Sequence, residues 1–193
     1  MFRYLSPSEH KMTLERVAGF EGDIRPAGRV ALGILLGLHG LRCGEVCGLV
    51  VGDFDPGAGA IHVATLKKGR PRSIDVEIRL AFWISRLCTG QPKTAPIIRT
   101  GRGRRLHESQ LQRRWRQLSK RWLGREVRFH CLRHTAAQRL YEATKDPFLV
   151  QRFLGHKSMA STSVYAESVS KLRDFMPKMP TNEAFQPVLF EAG

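Results

Sequence analysis

The sequence predicts an α+β fold that is mainly helical, with one small antiparallel β-hairpin. Three observations carry this. Ser6-Pro7-Ser8-Glu9 sets a capping serine, a first-turn proline and a glutamate three residues on, the signal that starts a helix. Leu111, Trp115, Leu118 and Trp122 recur at spacings of four, three and four, one apolar stripe along a helix. AIHVATL and SIDVEI alternate apolar and polar residues on either side of KKGRPR, the pattern of a hairpin with a basic tip.

The remaining elements follow in chain order. A second helix is expected from about Arg29 to His39, ended by Gly40. GLRCGEVCGL starts a short helix with Leu41, Val46 and Leu49 facing inward. After the hairpin a helix is expected near Arg79 to Leu87, then a Gly/Pro-containing loop and a short apolar run, Pro96 to Ile98. The helix with the apolar stripe follows, then one holding FHCLRHTAAQRL, one near Asp146 to Leu154, and a last one from about Ser158. The tail from Pro177 carries three prolines and reads as extended. One domain over residues 1–176 and a tail over 177–193 is the expected organisation.

Charge narrows the function. Against 17 Asp and Glu stand 32 Lys and Arg, a net +15 over 193 residues. That excess suits a partner with repeated negative charge, and double-stranded DNA fits best. Hydrophobic residues make up 42%, which excludes a disordered composition. No apolar face borders the basic residues as a membrane-surface helix would need, and VALGILLGLHGL is too short to span a bilayer. MFRYLSPSEH lacks the apolar run of a signal peptide, so a cytoplasmic protein is expected. Cys43, Cys47, Cys88 and Cys131 form no CxxC pair and read as small buried residues. On the striped helix Arg113, Arg114, Arg116, Lys120 and Arg121 fill the surface outside the stripe. Glutamates do not balance them, so they read as phosphate contacts. The hairpin tip offers Lys67, Arg70 and Arg72 to the same backbone.

Several chemistries lack their residues. His130 and His134 have the spacing of a zinc helix, but no Glu precedes His134 as in HExxH and no third ligand is evident. There is no P-loop and no GxSxG elbow. Clustered carboxylates for two metals are also missing. No metal and no cofactor is expected. What remains is a set of cations and a tyrosine: Arg42, Lys68, His130, Arg133, His156 and, nine residues later, Tyr165. One anionic centre can gather them. Paired guanidiniums bind phosphate oxygens, and a lysine or histidine can protonate a leaving oxygen. A tyrosine hydroxyl attacks phosphorus only once cations and a base stabilise its oxyanion.

GLRCGEVCGL, the lysine hairpin, HCLRHT, LGHKS and VYAES, in that order, resemble the catalytic domain of the tyrosine recombinases of the phage-integrase type. The likeness spans Leu41 to Ser168, and the opening capping box extends it to about Ser6. Each piece alone is modest; the ordered set is specific. The resemblance implies that Tyr165 attacks the scissile phosphate, leaving a 3′-phosphotyrosine and a free 5′-hydroxyl. Arg42 and Arg133 hold the non-bridging oxygens, and Lys68 protonates the leaving oxygen, with Lys67 the other candidate for that place. His130 takes the tyrosine proton or holds the phosphate, His156 donates a hydrogen bond to it, and Glu45 orients the site. His134 is expected on the helix shoulder.

The resemblance also implies a homo-tetramer on paired DNA sites, in a prokaryotic or mobile-element setting. The tail would dock on a neighbouring subunit through Val188, Leu189 and Phe190. Two departures stand out: the helical domain that precedes the catalytic domain in most of these recombinases is not in this sequence, and Cys131 stands inside the HxxR segment where a polar residue is usual. A type IB topoisomerase and a DNA-binding regulator with an inactive site are the competing readings.

Overall fold

A computed structural model describes residues 4–64 and 71–155 of the chain. Among them the order is α1 (Pro7–Ala18), α2 (Pro26–Leu38), α3 (Cys43–Gly48), β1 (Phe54–Asp55), β2 (Ala60–Val63), β3 (Arg72–Asp75), α4 (Ile78–Cys88), α5 (Glu108–Leu123), α6 (His130–Thr144) and α7 (Pro147–Leu154). The mainly helical α+β expectation holds. The strands form one antiparallel sheet in the order β1-β2-β3, with Ile61 opposite Ile74 and Val63 opposite Arg72. The two-residue β1 was not expected, and α2 starts three residues earlier than Arg29, at a proline whose fixed φ suits a first helical turn. The hairpin tip, the helix expected from Ser158 and the tail lie outside the described residues.

The capping box at the start is as expected. Glu9 N–H donates to Ser6 Oγ at 3.2 Å and Ser6 N–H to Glu9 Oε2 at 2.8 Å. Glu9 also takes both arms of Arg125, at 2.6 and 2.9 Å, tying α1 to the loop behind α5. Just ahead of α1, the Leu5 amide donates to Thr135 Oγ1 at 2.9 Å. That hydroxyl donates to the Cys131 carbonyl at 2.8 Å, so the chain is fastened to α6.

α2 is the central element, packed against α1, α3, α5 and α6. Its residues 31–38 are all buried. Small residues make the close approach possible. A Cβ on Gly37 would lie 3.0 Å from Leu132 and Phe129, and one on Gly33 would lie 3.3 Å from Leu111. α5 turns Leu111 and Trp115 fully inward, with Leu118 and Trp122 packed at the edge of the core. Burying each such side chain stabilises the fold by roughly 1.5–3 kcal/mol. The charged remainder of α5 faces outward: Arg113, Arg114, Arg116, Lys120 and Arg121 are all exposed.

Candidate active site

The centre of the site is a carboxylate. Glu45 lies in the first turn of α3, three residues after Arg42, and reaches back to the Arg42 backbone N–H at 2.7 Å. Its Oε1 also accepts from Arg42 Nη1 at 3.0 Å. Arg72, on β3, grips the same carboxylate with both arms, Nη1 to Oε1 at 3.0 Å and Nη2 to Oε2 at 2.9 Å. Arg133, one turn into α6, brings Nη1 within 3.7 Å of Oε2. Three guanidiniums therefore surround one carboxylate.

Backbone carbonyls complete the cradle. Arg133 donates to the Gly40 carbonyl and to the Leu154 carbonyl, each at 2.5 Å. Gly40 sits at φ +84°, a left-handed conformation that costs a residue with a Cβ more than glycine. It turns the chain from α2 into Arg42 while Phe153 packs against its bare Cα. The Leu154 carbonyl holds the end of α7 two residues before His156.

Burial differs sharply across the group. The Arg133 and Arg72 side chains are 2% and 8% exposed, and the Arg42 side chain 39%. Burial pushes the Glu45 carboxyl up, but the Arg72 side chain, the Arg42 N–H and the charges of Arg72 and Arg133 outweigh it and hold the group at about 2. Burial and the neighbouring Arg42 charge push the Arg133 guanidinium down to about 9, still cationic at neutral pH. Positive charge is thus concentrated where one carboxylate does not neutralise it, and Arg42 presents its edge to solvent. An anion with two free oxygens, such as a phosphodiester, complements this arrangement.

Of the expected site residues, Arg42, Glu45 and Arg133 come together as described. His130 opens α6, exposed, one turn before Arg133. His134 is exposed beside it, its ring edge-to-face with that of His130 at a centroid distance of 4.4 Å. Lys67, Lys68, Arg70, His156 and Tyr165 lie outside the described residues. Arg72 is a correction. It does not project from the basic tip toward a DNA backbone; its side chain is buried on Glu45. The signal was present in the strand pattern, because alternation puts Arg72 on the face of the buried Ile74. The Gly40 and Leu154 carbonyls carry no such signal.

A family model described as the phage integrase family matches residues 24–171. The chain belongs to that family. It is 35% identical over 129 residues to the tyrosine recombinase XerC of Azotobacter vinelandii, covering 65% of this chain and 43% of that protein. XerC of Pseudomonas savastanoi pv. phaseolicola is 30% identical over 152 residues, covering 76% of this chain and 50% of the relative. The chain thus spans half or less of the length of these relatives. Among solved structures, XerH site-specific recombinase bound to a palindromic difH substrate superposes with a TM-score of 0.68 at 20% identity, covering 89% of this chain and 52% of that one. XerA recombinase gives 0.65 at 23% identity, covering 88% and 65%. The mainly helical fold with its three-stranded sheet is the fold of these recombinases. No helix among the described residues is long and apolar enough to cross a membrane.

Proposed function

We propose that this chain is a catalytic domain, over residues 1–176, that cleaves and rejoins DNA strands in site-specific recombination. The observation that carries the reading is the group of Arg42, Arg72 and Arg133 around the single carboxylate of Glu45. Arg42 and Arg133 hold the non-bridging oxygens of the scissile phosphate. Tyr165 Oη attacks phosphorus while the bond to the 5′-oxygen breaks. His130 takes the tyrosine proton, and Lys68 or Lys67 supplies one to the leaving 5′-oxygen. His156 donates a hydrogen bond to the phosphate. The phosphotyrosine conserves the energy of the phosphodiester, so a second 5′-hydroxyl reverses the attack with neither ATP nor a metal ion. The exposed cations of α5 hold the duplex by its phosphates. The active unit is a tetramer on paired DNA sites in the cytoplasm of a prokaryote, with the tail over 177–193 docked on a neighbour.

A DNA substrate nicked beside the cleavage point tests this, because the short cleaved strand diffuses away and traps the intermediate. A covalent protein–DNA adduct is expected, lost in Tyr165→Phe and in Arg133→Ala. An adduct that persists in Tyr165→Phe, or none with the native chain, overturns the reading.

A further inference from the structure

Between α4 and α5 lies RTGRGRR, residues 99–105, with four arginines and no acidic residue. The structure sorts these arginines into two kinds. Arg99 donates to the carbonyls of Pro96 and Leu87, closing the end of α4. Arg105 donates to the carbonyls of Cys47 and Gly48 at the end of α3. Arg29 of α2 reaches the carbonyls of Arg99 and Thr100 at 3.2 and 2.8 Å. The segment itself is a tight antiparallel hairpin. Arg99 bridges Arg105, the Thr100 amide donates to Arg104 at 2.7 Å, and the Gly103 amide donates back to Thr100 at 3.0 Å. Its base is therefore fixed to three helices. Arg102 and Arg104 are exposed, and neither side chain has a hydrogen-bond or ion-pair partner among the described residues. Asp23, whose charge acts on Arg29, is held by Arg25 at 2.9 Å.

We infer that this hairpin enters the minor groove of the DNA, with Arg102 at its tip and Arg104 beside it. Shape argues for the groove. Arg102 stands between Gly101 and Gly103, so the tip carries no flanking side chain and is slim enough for a groove about 6 Å wide. A fixed base means little order is lost on insertion. Narrow A·T-rich minor grooves have an enhanced negative potential that attracts arginine. Position argues for a contact apart from the phosphate site. The hairpin sits at the start of α2, beside Pro26 and Arg29, whereas Arg42 follows its end. Arg105 also ties the hairpin to the end of α3, so the six residues of α3 lie between that anchor and Arg42. The inference takes only its partner, duplex DNA, from the proposed function.

Short duplexes of A·T, I·C and G·C pairs separate the possibilities. An I·C pair offers the minor groove of A·T and the major groove of G·C, because inosine lacks the 2-amino group. The native chain is expected to bind A·T and I·C more tightly than G·C. Arg102→Ala with Arg104→Ala should remove that preference and lower the salt dependence of log Kd on A·T and I·C by about 1.8, two charges at about 0.9 each. Unchanged binding in the double variant, or an equal loss on all three duplexes, overturns the inference. The adduct assay at Tyr165 reads the chemistry separately. Groove preference without an adduct sinks strand transfer alone, and an adduct without groove preference sinks the hairpin alone.

Discussion

Replacing Glu45 by Gln removes a charge and little volume. In the folded protein the carboxyl is held at about 2 against an ordinary value of 4.5. That difference corresponds to roughly 3 kcal/mol of stability at neutral pH, at about 1.4 kcal/mol per unit. The loss expected on breaking a buried ion pair from one side, about 3–5 kcal/mol, agrees. Urea unfolding at pH 7 should therefore show Glu45→Gln less stable by roughly 3 kcal/mol. The pH dependence is the sharper test. A depressed carboxyl contributes fully above its unfolded value and loses that contribution as pH falls through its folded value. The native protein should lose the increment between about pH 4.5 and 2, and the two stability curves should close toward each other there. Added sulfate should restore more stability to the variant, where three guanidiniums no longer share a carboxylate. A variant within about 0.5 kcal/mol of the native protein at pH 7 would refute the reasoning. So would a gap that persists unchanged to pH 2.

Two further outcomes follow from buried groups near the site. His39 is fully buried, with Nδ1 at 2.9 Å from the Leu35 carbonyl and Nε2 unpartnered among the described residues. Burial pushes it down to about 4 from 6.5, so the unfolded chain takes up a proton that the fold refuses and stability falls as pH drops from 6.5 to 4. His39→Leu should flatten that fall in urea titrations at pH 7.5 and 5; His10, also pushed down to about 4, contributes to the part that remains. Gly40→Ala would place a Cβ 2.7 Å from the Phe153 ring at φ +84°. A loss of roughly 2–4 kcal/mol is expected in thermal unfolding, part of it recovered by Phe153→Leu.

Local chemistry was legible in the sequence; long-range pairing was not. The Ser6–Glu9 box and the Leu111–Trp115 face follow from residues within a turn or two of each other, and both hold in the structure. The Arg42–Glu45 pair spans only three positions, yet the resemblance implied only that Glu45 orients the site. Arg72 meets Glu45 across 27 positions, so its charge suggested an outward tip when the fold turns it inward. The carbonyls that hold Arg133 belong to Gly40 and Leu154, and every residue type has a carbonyl. β1 is two residues long, below what alternation can reveal. The edge-to-face pairing of His134 with His130 depends on ring orientation within α6, which spacing alone leaves open.

The hydrogen bonds from Leu5 through Thr135 to Cys131 have a mechanical consequence. The strand of chain entering α1 is clamped to the same helix that carries His130 and Arg133. A second clamp, Glu9 on Arg125, lies one turn further on. A force on the chain at Leu5 is therefore passed directly to α6 through the hydrogen bond of the Leu5 amide to Thr135. The residues just ahead of α1 act as a handle on the helix that carries Arg133.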